Sequence, residues 1–223
     1  MDKFNETIKP SKPENQEFLT REEINESFHK SVNELNEFFE IDWKEGLPKL
    51  KILDNREEYD IEYGNKTQRW SWGFSKDNGD VCLIAPEKVA SETSHTYTPE
   101  NYCALIKHEL CHSFCTKIFH KTSPLWLIEG IAMLTANQNR FKKNPAQFSV
   151  FLEHGGNFKP ENIYNEAGFA IELLFNKFGK KKILELLYAN SIAKSYRDLE
   201  KSFQEIFGFE ASYDEFNKLL TKQ

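Results

Sequence analysis

Apolar residues recur along most of this chain at spacings of three and four, and alternate only briefly, which predicts a mostly helical α+β protein with a small sheet. From Glu17 to Phe39 the residues Phe18, Ile24, Phe28, Val32, Leu35 and Phe39 keep helical spacing, with Thr20 and Glu23 placed as a capping box. Leu50 to Leu53 reads as a short strand, and Trp70 to Phe74 alternates large aromatic with small residues. Lys76-Asp77-Asn78-Gly79-Asp80 is a turn signal, and Val81 to Ala85 is the returning strand. Next come Thr98 as N-cap, Pro99 at the first helical position, and a stretch from Asn101 to Phe119 without Gly or Pro. A second helix starts at Pro124, with Ser123 or Thr122 as its cap. Beyond Gln138 the pattern predicts helices over Pro145 to His154 (ending at Gly155-Gly156), Tyr164 to Phe178, Lys180 to Ala189, Ser195 to Phe207 and Ser212 to Leu220, with Gly179 and Gly208 as stops.

These elements divide into a polar arm with its amphipathic helix over 1–45 and a single domain over 46–223. That domain comprises a small antiparallel or mixed sheet with two central helices over 46–140 and a helical subdomain over 141–223. The first helix is expected to pack on the domain; a pro-segment covering a cleft is the alternative.

Composition narrows the function classes. At 223 residues, 39% hydrophobic and with 19 Phe, the chain can bury a substantial core. No run reaches the ~18 apolar residues of a membrane span. The start, Met1-Asp2-Lys3-Phe4-Asn5-Glu6, does not read as a secretory signal, so a cytoplasmic protein is expected. A net charge of −6 with both signs scattered argues against a nucleic-acid partner. The four cysteines form no C-x-x-C pair and suggest a reducing compartment.

The chemistry concentrates in His108-Glu109-Leu110-Cys111-His112. Residues four apart on a helix lie one turn above each other, so both imidazoles reach toward one point while Glu109 projects beside them. With 6 His and 27 Glu in the chain, chance writes an H-E-x-x-H pattern only about 0.02 times. Ala104, Leu105, His112, Cys115 and Phe119 fall within about 60° of His108 on a helical wheel, which predicts a buried face. Two histidines leave a catalytic zinc site one protein ligand short. The strongest third candidate is Glu129, a lone acid in the apolar run Pro124 to Ala132, because an ionised carboxylate buried there needs a cation. Cys115 is the rival ligand.

H-E-x-x-H followed by W-L-x-E-G-x-A, here His108 to His112 and Trp126 to Ala132, resembles the gluzincin metallopeptidases. The likeness is to the small peptidase MA-like group and, more distantly, to aminopeptidase N-like enzymes. It extends weakly from Val81 through Tyr164 to Gly179, about half the chain. The resemblance implies a zincin-like fold with one Zn2+ per chain held by His108, His112 and Glu129. It implies hydrolysis of peptide bonds by metal-activated water, with Glu109 as general base. Tyr164 stands where such families place a tyrosine that polarises the scissile carbonyl, and His154 is the second candidate for that role. The substrate would be a peptide or protein lying extended along an edge strand, a part assigned to Val81 to Ala85. The chain departs from the aminopeptidase branch in lacking G-x-M-E-N, and it carries Met133 where thermolysin-like enzymes place an aspartate behind a zinc histidine. A catalytically silent zinc-stabilised binding module and a zinc hydrolase of a non-peptide amide are the alternatives.

Overall fold

Thr20 and Glu23 close their capping box at the start of α1 (Arg21–Phe39): the Glu23 carboxylate accepts from the Thr20 N–H at 2.8 Å, and the Thr20 hydroxyl oxygen accepts from the Glu23 N–H at 3.3 Å. The computed structural model describes residues 17–120, 123–152 and 160–221, so the N-terminal arm, Thr122, His154 and Gly155-Gly156 lie outside the described residues. After α1 come β1 (Leu50–Leu53), α2 (Arg56–Tyr63), β2 (Gly73–Ser75), β3 (Val81–Ile84), the short α3 (Val89–Glu92), α4 (Pro99–Phe119), α5 (Leu125–Thr135), α6 (Pro160–Ile192), α7 (Tyr196–Phe207) and α8 (Tyr213–Leu220). The protein is mostly helical, with one three-stranded mixed sheet among the described residues.

The sheet order is β1-β3-β2, with β3 parallel to β1 and antiparallel to β2. This corrects the assignment of Val81 to Ala85 as the edge strand. β3 is central, paired on both sides and buried at all four residues, which is what an unbroken apolar run means when both faces of a strand are covered. β2 is the edge, and its turn to β3 closes where the Lys76 N–H donates to the Asp80 carbonyl at 2.8 Å.

α4 begins as its sequence predicts, with the Thr98 side chain accepting from the Asn101 N–H and Pro99 in the first turn. It is buried on nearly every side rather than on one face, because three layers meet on it. On the sheet side, the Tyr102 hydroxyl donates to the Ile84 carbonyl at 2.8 Å and the Ser113 hydroxyl to the Gly79 carbonyl at 2.6 Å. On another side α1 stacks Phe39 on Phe114, at 5.7 Å between ring centroids, and Glu34 pairs with Lys107 at 2.7 Å. α5 covers a third.

The antiparallel return of α5 brings Glu129 back over α4. Pro124 rather than Ser123 occupies its N-cap position, and no side chain caps it. α5 then packs closely on α6: a Cβ built on Gly130 would stand 2.4 Å from Ile171 Cγ1 and 2.7 Å from the Ala167 carbonyl oxygen. α6 starts at Pro160, before the expected Tyr164, and breaks where anticipated, at Gly179 with φ 82°. Its second half, α7 and α8 enclose an aromatic cluster of Trp126, Phe148, Phe151, Phe203, Phe207 and Phe216.

The helix expected from Pro145 does not form over the described residues up to Leu152. Phe148 and Phe151 are three apart and buried, which imitates a helical face, but the backbone between them is captured from a distance. Glu166 Oε2 accepts from the N–H groups of Ser149, Val150 and Phe151 at 2.8, 2.8 and 3.2 Å. Asn217 exchanges two hydrogen bonds with the Phe148 backbone. α2 is an element the periodicity did not announce.

The Gly130 contact yields a stability prediction. Gly130→Ala must push α5 away from a backbone carbonyl, so urea unfolding of the metal-free protein is expected to show a loss of about 1–3 kcal/mol. An unchanged midpoint would mean that α5 and α6 separate without cost.

Candidate metal centre

His108 and His112 stand one turn apart on α4, and α5 places Glu129 against both. The His108 and His112 Nε2 atoms are 3.1 Å apart, Glu129 Oε2 lies 3.2 Å from the first, and Oε1 lies 3.5 Å from the second. His108 and Glu129 are buried and His112 is nearly so. Ligand atoms of all three fall within 4.8 Å of one another, and this group can hold a metal ion.

The donor set fits a cation on physical grounds. Two imidazole nitrogens that face each other at hydrogen-bond distance cannot both present lone pairs to each other, so a proton on one of them or a shared metal ion must stand between them. An ionised carboxylate inside an otherwise apolar helix carries the same requirement. Without a metal the positive charge is a proton. Burial works against charge on His112, yet the Glu129 carboxylate holds its pKa up to about 10. Burial likewise works against the Glu129 charge, but the two imidazoles outweigh it and hold that carboxyl well below the usual range.

Glu109 lies on the sheet side of this group and outside it. Its Oε1 would stand only 3.1 Å from a Cβ on Gly73, so the glycine lets β2 approach α4 closely. Burial raises the Glu109 pKa against the opposing pull of His108 and His112.

Tyr164 comes from the first half of α6, half-buried, its ring 6.0 Å from that of Trp70. Burial, then the charges of Glu129 and Glu109, push its hydroxyl above the ordinary range, which keeps it a proton donor within electrostatic reach of both carboxylates. Cys115 does not join the convergent group. It is buried and hydrogen-bonded with Cys111, and that bond together with burial pushes its thiol well above the ordinary value, away from the thiolate that binds metal. His154 lies outside the described residues. Among the described residues, His108 Nδ1 finds no hydrogen-bond partner. Met133 is buried and packs over Gly168 instead of supporting a ligand.

Sequence reasoning missed several residues near the group. His95, in the loop before α4, stacks on Trp72 at 4.7 Å and hydrogen-bonds the Trp70 carbonyl through Nε2. Lys142 follows the turn after α5, and its Nζ donates to Asn165 Oδ1 at 2.8 Å. Neither belongs to a periodic pattern or a motif, so no local signal pointed to them. Gly73 had a weak signal, a glycine among Trp70, Trp72 and Phe74. The chain matches no protein-family model and no curated protein.

Metal uptake should be linked to protons. At pH 7 the metal-free group carries protonated His112 and ionised Glu129, and a metal takes the imidazole neutral, so binding expels about one proton. Affinity should rise about tenfold per pH unit until His112 itself would deprotonate. Calorimetry in buffers of different ionisation enthalpy measures this, and no proton release would refute the charge assignment. In the same assay His112→Ala and Glu129→Ala should lose metal while Cys115→Ala keeps it.

Proposed function

We propose that this protein is a zinc-dependent peptidase of the gluzincin kind, built on a zincin-like catalytic unit. The observation that carries the reading is Glu109: a buried carboxylate beside the metal-ligand group, raised in pKa, and not itself a ligand. A site that only staples a fold has no use for such a group. Two nitrogens and one carboxylate are the donor set of catalytic zinc, which keeps a further position open for reactants.

His108, His112 and Glu129 would hold the ion. When bound, it supplies Lewis acidity, drawing electron density from oxygen atoms that approach it. Glu109 accepts a proton from the attacking water and passes it to the leaving amine nitrogen, a task suited to a carboxyl whose pKa burial raises. Tyr164, kept protonated, donates from its hydroxyl to the oxygen that gains negative charge at the scissile carbonyl.

The substrate is a peptide or protein segment lying extended beside β2, the edge strand nearest Glu109. Main-chain pairing there is limited, because the Gly73 carbonyl already accepts from the Tyr59 hydroxyl at 2.9 Å.

The test is incubation of the zinc-loaded protein with a proteome-derived peptide library, with new termini mapped by mass spectrometry and Glu109→Gln as the blank. New termini should appear with the wild type, and Glu109→Gln should bind zinc normally yet cut at least about a hundredfold more slowly. Wild-type protein with one zinc bound and no cuts would sink the peptidase reading. Tyr164→Phe should lower turnover about a hundredfold with zinc content unchanged, and wild-type rates would remove Tyr164 from the mechanism.

A further inference from the structure

Lys142 is half-buried and, among the described residues, has no counter-ion. Its N–H donates to the Asn139 carbonyl at 2.9 Å, which fixes it at the end of the turn that leaves α5. Its Nζ donates to Asn165 Oδ1 at 2.8 Å, and Asn165 follows Tyr164 on α6. Among the described residues no carboxylate comes within ion-pair distance. Lys76, Lys107 and Lys180, each also partly buried, are paired with Glu62, Glu34 and Glu40 at 3.1, 2.7 and 2.8 Å.

Its charge bears on the metal-ligand group and on the opposite loop. Burial lowers the Lys142 pKa while Glu129 holds it up, and Lys142 in turn helps burial depress that of His95. The ammonium therefore stands within electrostatic reach of Glu129 and of His95, and its hydrogen bond to Asn165 sets it beside Tyr164 on α6. His95 is occupied with Trp70 and Trp72 and brings no negative charge. An ammonium with three donors, one of them bound to a neutral amide, is built to take an anion.

We propose that Lys142 is a specificity-determining residue, whose ammonium, steadied by Asn165, binds a carboxylate of the substrate close to the bond presented to the metal-ligand group. The inference rests on the hydrolytic reading above and names its substrate class: peptides with a carboxylate near the scissile bond. That carboxylate is either the α-carboxylate of a chain end or the side chain of an Asp or Glu.

The test separates recognition from turnover by using zinc-loaded full-length protein in the Glu109→Gln background. A random hexapeptide library is prepared twice, with free C-terminal acids and with C-terminal amides. Bound peptides are recovered by ultrafiltration and sequenced by mass spectrometry for Glu109→Gln alone and combined with Lys142→Met, Lys142→Gln or Lys142→Arg. Carboxylates should be enriched about tenfold in the bound pool, a factor within the range of one charge-assisted hydrogen bond. Retention of acids over amides would mark a chain-end carboxylate, and Asp or Glu recurring at one position in both libraries would mark a side chain. Lys142→Met and Lys142→Gln should abolish the enrichment and Lys142→Arg should keep most of it, each variant being checked for a native melting transition. No bound peptides, no carboxylate enrichment, or enrichment that survives the neutral variants overturns the proposal. If wild-type protein cuts nothing while the enrichment holds, the peptidase reading falls and the carboxylate site stands. Cutting without carboxylate preference means the reverse.

Discussion

An ionised carboxylate inside an apolar helix is tolerable only opposite positive charge, and the placement of Glu129 on α5 sets that condition for the whole molecule. Its partners, His108 and His112, sit on a helix that cannot shift to meet it. Tyr102 and Ser113 tie α4 to the sheet, and α1 packs a stacked phenylalanine against it. The adjustment falls to α5, pressed inward by α6 through Gly130, whose missing Cβ leaves room for Ala167 and Ile171. Gly168 does the same one turn away on the other helix, where Met133 and Asn139 approach it. Both glycines weaken their helices, by roughly 1 kcal/mol each relative to alanine, and close helix packing offsets this.

The surroundings of the group are asymmetric in a way that suits chemistry. On the sheet side stands Glu109, a carboxylate close against Gly73; on the helical side stand Tyr164 and Lys142, a hydroxyl and a cation. Acceptor and donors thus come from different layers of the fold, and neither side competes for the other's partner. Polar groups thus flank the three convergent residues on each side.

Legibility in the sequence followed the range of the interactions. α1 and α4 were readable because caps and periodicity are local: Thr20 with Glu23, Thr98 with Pro99. The H-E-x-x-H spacing and the isolated acid in an apolar run located His108, His112 and Glu129, and the helix pair brings them together. α2 escaped notice because only Tyr59 of its eight residues is buried, leaving no apolar stripe; its Asn55 cap and Gly64 stop were the available signals. β3 was mistaken for an edge although Val81 to Ile84 is apolar at every position, a mark of burial on both faces. The segment after Pro145 was unreadable in a stronger sense. What holds it comes from Glu166 and Asn217, and no local pattern records a partner seventeen or sixty-nine residues away.

The same reasoning bears on how a substrate would be recognised. β2 is three residues long, and its Gly73 carbonyl is already used by Tyr59. Strand addition draws affinity from a row of main-chain hydrogen bonds, and a row this short, already partly occupied, supplies little. On the proposed reading, selectivity would then rest on side chains around the convergent group. Trp70 and Trp72 offer flat apolar surface that accepts many residue types, whereas a half-buried ammonium would discriminate by charge, since an uncharged group opposite it leaves its donors unanswered. Positioning the cation on the turn after α5 ties its place to that of Glu129, so in the proposed reading recognition and metal binding would depend on the same helix pairing.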